Sequence, residues 1–498
     1  MLKMGILSII RVLMNFRNAP FFNKMINRSV LVLPFCLVTA CGGSALSSSL
    51  SSANETLTAG ANLKLLNGAN YDLSQAFFDD FVGGVSSKNW YIGNGAWGSG
   101  NGGVVPANVG YSDDGVLILR GNGLYYTGND IKGVGTLKDG RNTGAALISK
   151  FLTGPGHYEI KMKLLPRQGA CTAFWTFTNR ANKTGANDNH EIDIELPGGK
   201  KDGIITFKNV LNTNYVTENY YLSQDVNLKK AFSADSEICL NDGEWHTFGF
   251  DWYTNPAQVI YFIDGRVSAI GDAFVPTLQT RLWLGNWFPN NAGFVGSSYF
   301  ETDYMYIDWV KYLPFDSTQP FEAYTPNVTV ETAAEDAYPS APMAYPEVNK
   351  ISNGDFEYIR RDVAGDSGWS FLKLNTEKQD IASVCYPARG IGYDGSCGLH
   401  IKDGGLLRQN IDSVYEGFKY HFSFHGKAYE KGGKVVLSFV NAYEAKAIRS
   451  VTYNVTDTSW KSYGGDVTAP ADCYGVRIDA YGSTGNAMDL DDLTLERS

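Results

Sequence analysis

Glu191, Asp193 and Glu195 stand at alternate positions of the segment NHEIDIELPGGK (residues 189–200), with Ile192 and Ile194 between them. Two carboxyls flanking a bond can serve as acid and nucleophile or acid and base, and a third can tune them. A period of two is strand spacing, so in an extended segment the acids share one face while Ile192, Ile194 and Leu196 take the other. In a helix, residue 193 would lie about 200° around the axis from residue 191, and the row would break. A strand is therefore predicted. The plain alternative is an exposed strand with a solvated acidic face, but like charges repeating along a half-buried strand lower its stability. The cost grows in a groove of reduced dielectric, so something should hold the acids there.

The elements that must position this row are short alternating segments with turn residues between them: GVLILRG, HYEIKMKLL, ACTAFWTFTN, HEIDIELPG, GIITFKNVL, HTFGFDWY, VIYFIDG, RLWLGNWF and YMYIDWVKYL. No long amphipathic helix interrupts them. The predicted fold class is all-β: a curved antiparallel β-sandwich (jelly roll) over residues 71–315, with the acidic strand lining a groove beside Trp175 and Trp287. Composition agrees, with 44% hydrophobic residues, 13% aromatics and 54 glycines in 498 residues. Residues 316–350 carry Pro320, Pro326, Pro339, Pro342 and Pro346 and read as a semi-extended linker. A second, smaller β-sandwich is predicted over residues 351–498, from segments such as KYHFSFHGKAY, KVVLSFVNAY and GVRIDAY.

The motifs and their order resemble glycoside hydrolase family 16. HEIDIELPG is similar to that family's E-[apolar]-D-[apolar]-E signature. GHYEIKMKLLP resembles the strand upstream of its acids, CTAFWTFTN the groove strand before them, GEWHTFGFDW and VIYFIDG two strands downstream, and YIDWVKY the closing strand. The resemblance spans roughly residues 78–315 and implies Glu191 as nucleophile and Glu195 as acid/base. Geometry is compatible: four residues of strand separate the two Cα atoms by ~13 Å, and inward-leaning side chains close this to the ~5.5 Å of a retaining glycosidase. Asp193 is placed to hydrogen-bond Glu191 and, by like-charge repulsion, to keep a proton on the set for Glu195 to donate.

The resemblance also implies substrate contacts for Trp175 and Trp287, for which core packing is the other reading, and places Asn108 near the cleavage point. His190 reads as a donor behind the acids or as a mere strand end. Some members hold a structural calcium through the Asp of a DWV strand, here Asp308; no cofactor is required. The motif lacks the extra residue of E-x-D-x-x-E laminarinases and agarases, so an endo-acting β-glucanase is expected. An endo-β-galactosidase on galactan or host glycan, and transglycosylation, stay open. The last unit, from ISNGDFEYIRRD to NAMDLDDLTLERS, resembles jelly-roll carbohydrate-binding modules of families 4, 9 and 22, with Trp369, Tyr386 and Trp460 as stacking candidates, or else a sandwich that only spaces the enzyme. A binding lectin without turnover is the rival of another class.

The amino end reads as a targeting segment. Lys24 and Arg28 precede an apolar run, Val30–Val38, and VTAC resembles a lipobox, with cleavage before Cys41 and lipid on its thiol; a plain secretory signal is the alternative. Translation is expected to begin at Met25, residues 1–40 to be the export signal and residues 41–70 a Ser/Gly-rich tether, with Gly42 favouring the bacterial outer membrane, on its periplasmic or cell-surface side. Without residues 1–40 the chain keeps 37 basic and 52 acidic groups, a formal charge of −15. Nucleic acid is disfavoured as a partner, since phosphate binding draws on basic clusters. Export permits disulfides; Cys385–Cys397 is the first expectation, Cys171–Cys239 the second, and Cys473 is left over.

Overall fold

The computed structural model describes residues 65–97, 102–126, 128, 130, 142–181, 187–197, 200–201, 204–205, 209–217, 220–234, 238, 240–328, 330–357, 369–373, 390–402, 404–412, 414–441, 446–483 and 485–498. The export signal, Met25, Cys41, Tyr386, Cys239 and Cys385 lie outside these residues.

Two antiparallel sheets face each other in the first half. In one, the strands Tyr220–Asn227, Asn209–Thr217, Asn187–Pro197, Cys171–Ala181, Arg281–Trp287, Ala145–Ser149 and Trp90–Ile92 lie side by side in that order. The other runs Arg266–Gly271, Ala257–Ile263, His246–Thr254, Gly156–Lys163, Thr302–Pro314, Leu117–Asn122 and Val109–Tyr111, with Phe77–Asp79 also paired to Thr302–Pro314. Between them Phe174, Ile192, Ile194, Leu196, Leu284 and Trp252 are at most 1% exposed. The alternation seen in the sequence is thereby realised, since burying Ile192, Ile194 and Leu196 in this core turns Glu191, Asp193 and Glu195 to the opposite face.

A second, smaller sandwich follows. One sheet orders Ser370–Lys373, Leu406–Asp412, Gly475–Gly482, Gly433–Val440 and Ala447–Val455; the other orders Leu399–Lys402, Ala487–Arg497, Lys419–Tyr429 and Lys461–Thr468. Phe422, Leu437, Ile478 and Leu490 fill its core.

The connection between the sandwiches is not a free spacer. Residues 320–345 lie along the first sandwich: the Met343 N–H donates to the Tyr111 carbonyl (2.8 Å), the Tyr338 hydroxyl to that of Trp90 (2.6 Å) and the Ala333 N–H to that of Ile92 (2.9 Å). The junction itself is ionic and buried. Asp303 receives Arg167 Nε at 2.7 Å and Lys350 Nζ at 3.1 Å, while Arg167 also donates to the Lys350 carbonyl. The last residues of the expected tether are likewise packed: Leu65, Leu66 and Ala69 cover Tyr253 and Phe315.

Candidate active site

The sheet register decides what stands beside the acids. Across the strands Asn187–Pro197, Cys171–Ala181 and Arg281–Trp287, Glu195 pairs with Ala173 and Ala173 with Gly285; Gly285 pairs in turn with Ala146. This row of small residues forms a lane without bulky side chains running from Glu195 across the sheet, its floor little exposed (Ala173 3%, Ala146 1%). One row away Asp193, Trp175 and Trp283 are in register, and beyond them Glu191, Phe177 and Arg281. On the lane's other side Cys171 pairs with Trp287. The Trp175 and Trp283 rings stack at 5.4 Å between centroids, and Trp97 reaches in from a loop to lie 6.2 Å from Trp175, 6.2 Å from Trp283 and 5.6 Å from Trp287. The lane thus has aromatic walls and a carboxylate mouth, a shape suited to a chain of flat, hydroxylated rings.

All three carboxyls hold their protons well above the ordinary range. For each, burial is the larger cause, so the charge crowding argued from the sequence comes second. Asp193, 5% exposed, is pushed well up by burial and next by the charges of Glu191 and Glu195. Glu191 is raised to about 8 by burial and by the Glu195 charge, against the hydrogen bond it shares with Asp193. Glu195 is raised to about 7 by burial, against a hydrogen bond from Cys171, whose Sγ lies 3.9 Å from Oε1. That thiol is fully buried and held far above its usual range by burial and by the Glu195 charge, so it stays protonated and donates. These values belong to the set rather than to single residues. Their arrangement favours one ionisation pattern: a neutral Asp193 donates to Glu191 and stabilises its anion, and a protonated Glu195 removes the charge that opposes it.

The other sequence candidates separate. Trp175 (7% exposed) and Trp287 are in the aromatic wall. Asn108 is 2% exposed and spent on structure: Nδ2 donates to the carbonyls of Thr143 (3.2 Å) and Gly144 (2.9 Å), and Oδ1 accepts from Arg120 (2.8 Å) and Asn122 (3.0 Å). His190 alternates away from the acids, and its Nδ1 accepts the Thr277 and Leu278 N–H groups at 3.0 and 3.2 Å. It is neutral with Nε2 protonated, and burial holds its pKa down. Neither Asn108 nor His190 has a group left over for a sugar. Asp308 pairs with Lys161 at 2.7 Å, and no group of three or more His, Cys, Asp or Glu among the described residues could hold a metal. A calcium at Asp308 would have to displace this lysine.

In the second sandwich Trp369 is 1% exposed, packed on Phe356 with its indole N–H on the Asn353 carbonyl (3.0 Å); it is core, not a stacking platform. Trp460 stands edge-on to Tyr393 at 6.0 Å, and Tyr393 stacks on His425 at 3.7 Å. Cys171 carries a free thiol, so the Cys171–Cys239 pairing is not formed. Sequence reasoning passed over Trp97, Trp283 and Gly285, and read Cys171 only as a disulfide candidate. Trp283 was within reach, because it lies four residues from Trp287 on the same strand face.

Residues 117–310 match the model of Glycosyl hydrolases family 16. A beta-glucanase of Paenibacillus macerans is 29% identical over 216 residues, 41% of this chain and 80% of that protein. One from Acetivibrio thermocellus is 29% identical over 226 residues, 43% of this chain and 58% of that protein. The solved Bacillus licheniformis beta-glucanase is 21% identical, covering 48% of this chain and 97% of that one with a TM-score of 0.37. The matched segment contains the acidic strand and most of both facing sheets, and it is in this segment that the chain is similar to glycosyl hydrolases family 16.

Proposed function

We propose that the chain is a retaining, endo-acting glycoside hydrolase of a β-linked glucan. The observation that carries this reading is the lane of small residues, walled by tryptophans, that begins at three proton-retaining carboxyls. In the first step a Glu191 carboxylate oxygen attacks the anomeric carbon, the glycosidic C–O bond breaks, and the Glu195 proton passes to the departing oxygen. In the second, Glu195, now a carboxylate, takes a proton from water; the water oxygen bonds to the anomeric carbon, and the ester to Glu191 opens. Asp193 donates its hydrogen bond to Glu191 whenever that oxygen is free and charged. The beta-glucanase names of the relatives support a β-glucan as substrate.

The test is a panel of lichenan, laminarin, xyloglucan, agarose and keratan-type glycans, scored by product mass and anomeric configuration. Oligosaccharides of retained configuration from a glucan are expected. Inverted products, or none from any polymer, would overturn the reading.

The VTAC sequence supports lipid attachment at Cys41 and an outer-membrane location, which labelling with a radioactive fatty acid would check in the chain and in Cys41→Ala. The Tyr393–Trp460 pair supports a glycan-binding role for the second sandwich, to be read as retardation in polysaccharide-containing native gels.

A further inference from the structure

The segment joining the sandwiches does something its composition does not suggest. Glu322 exchanges backbone hydrogen bonds with Thr277 (2.7 Å) and Gln279 (2.9 Å), and its carboxylate meets Arg180 at 2.6 Å. The Pro326 carbonyl accepts Arg281 Nε at 3.3 Å. The chain then adds itself to the sheet edge beyond Trp90–Ile92, with Asn94 N–H on the Glu331 carbonyl (2.7 Å), Thr332 paired with Gly93, and Ala333 N–H on the Ile92 carbonyl. Val330, 3% exposed, packs into the same apolar cluster as Val104, Ala146, Trp175 and Trp283. So close is the approach that a Cβ on Gly95 would meet Val330 Cγ2 at 3.1 Å.

The loop clamped in this way carries Trp97. Gly95 and Val104 exchange backbone hydrogen bonds across its base (3.0 and 2.8 Å), and Val330 fixes that base from the other side. Trp97 contacts Trp283 and Trp287, which flank Gly285, and Trp175, which flanks Ala173, so its ring lies over the lane between Ala173 and Gly285. Ala173 is one strand and Gly285 two strands from Glu195, ~5 and ~10 Å, so the wall stands within about two pyranose lengths of the acid/base.

We infer that the inter-sandwich strap, through Val330, holds Trp97 as an end wall of the groove, so that no more than about two sugar units bind between that wall and the point of cleavage. The strap and Trp97 are specificity-determining: they set how long a glycan segment is accepted on that side. This rests on the glycosidase reading and adds a limit on chain length to it.

The experiment uses the full chain and a ladder of oligosaccharides prepared from whichever polymer it cleaves, with Trp97→Ala, Val330→Gly and, as a control elsewhere on the same connection, Met343→Ala. Thermal unfolding confirms that each variant is folded. With Trp97→Ala, kcat/KM is expected to rise several-fold for the oligosaccharide one unit longer than the shortest good substrate, and longer products to appear. Val330→Gly should do the same more weakly, and Met343→Ala should leave the pattern unchanged. An unchanged pattern in folded Trp97→Ala would overturn the end wall while leaving the glycosidase standing. A uniform loss at every length would overturn it too, because Trp97 would then be a sugar platform. No cleavage by the unaltered protein would overturn both readings.

Discussion

The Cys171 thiol donates to Glu195 Oε1 across 3.9 Å, and it is the one side chain among the described residues whose hydrogen bond opposes the burial of that carboxyl. Cys171 therefore acts as a positioning residue behind the acid/base. Removing the donor with Cys171→Ala should raise the Glu195 pKa and move the basic limb of the kcat/KM profile up by about half a pH unit. Cys171→Ser places a stronger oxygen donor there and should move the same limb down. A role limited to packing would lower kcat/KM in both variants with the limb in place.

The unmodified profile is itself constrained. Catalysis needs Glu191 ionised and Glu195 protonated, one proton on the two. With the pair raised to about 7 and about 8, the singly protonated set is most populated between those values, and the catalytic form is the share of it that carries the proton on Glu195. A bell-shaped kcat/KM peaking in that interval is expected; a profile already flat and maximal at pH 5 would contradict the burial of these groups.

The same acids cost stability. A carboxyl whose folded pKa lies above its unfolded value gives stability that is fully present below the unfolded pKa and is lost as pH rises through the folded one. For Glu195 the window runs from 4.5 to about 7. Glu195→Gln should therefore raise the melting temperature by about 2–4 °C at pH 8 and have little effect at pH 4.5, while lowering turnover of a poor leaving group by ~10²–10⁴. Equal melting shifts at both pH values would show that the charge is not responsible.

What the sequence made legible was whatever a strand's own period carries. Glu191, Asp193 and Glu195 face one way because Ile192, Ile194 and Leu196 must be buried, and both facts lie within one segment. Cross-strand register lies in no single segment. The lane Glu195–Ala173–Gly285 is assembled from three strands, so neither Gly285 nor Trp97 stood out. The partners of Asn108 and His190 were hidden for the same reason: the carbonyls and amides that engage them come from residues 143–144 and 277–278. Five prolines in residues 316–350 did signal an extended backbone, but a sheet edge that accepts such a backbone is visible only once the sheet exists.

The junction between the sandwiches gives a prediction independent of catalysis. Asp303 (side chain 4% exposed) lies between Arg167 and Lys350, so one carboxylate is shared by two buried cations. The Lys350 charge is the largest influence holding its pKa down against burial, with that of Arg167 next. Asp303→Asn removes the carboxylate that the buried guanidinium and ammonium groups share and should cost about 3–5 kcal/mol. Arg167→Met removes one of the two and leaves Asp303 paired with Lys350, so its cost should be smaller. Urea unfolding followed by tryptophan fluorescence measures both. Should Asp303→Asn unfold at the same urea concentration as the unaltered chain, the ion cluster would be contributing nothing, and the apolar contacts beside it would be sufficient to hold the sandwiches together.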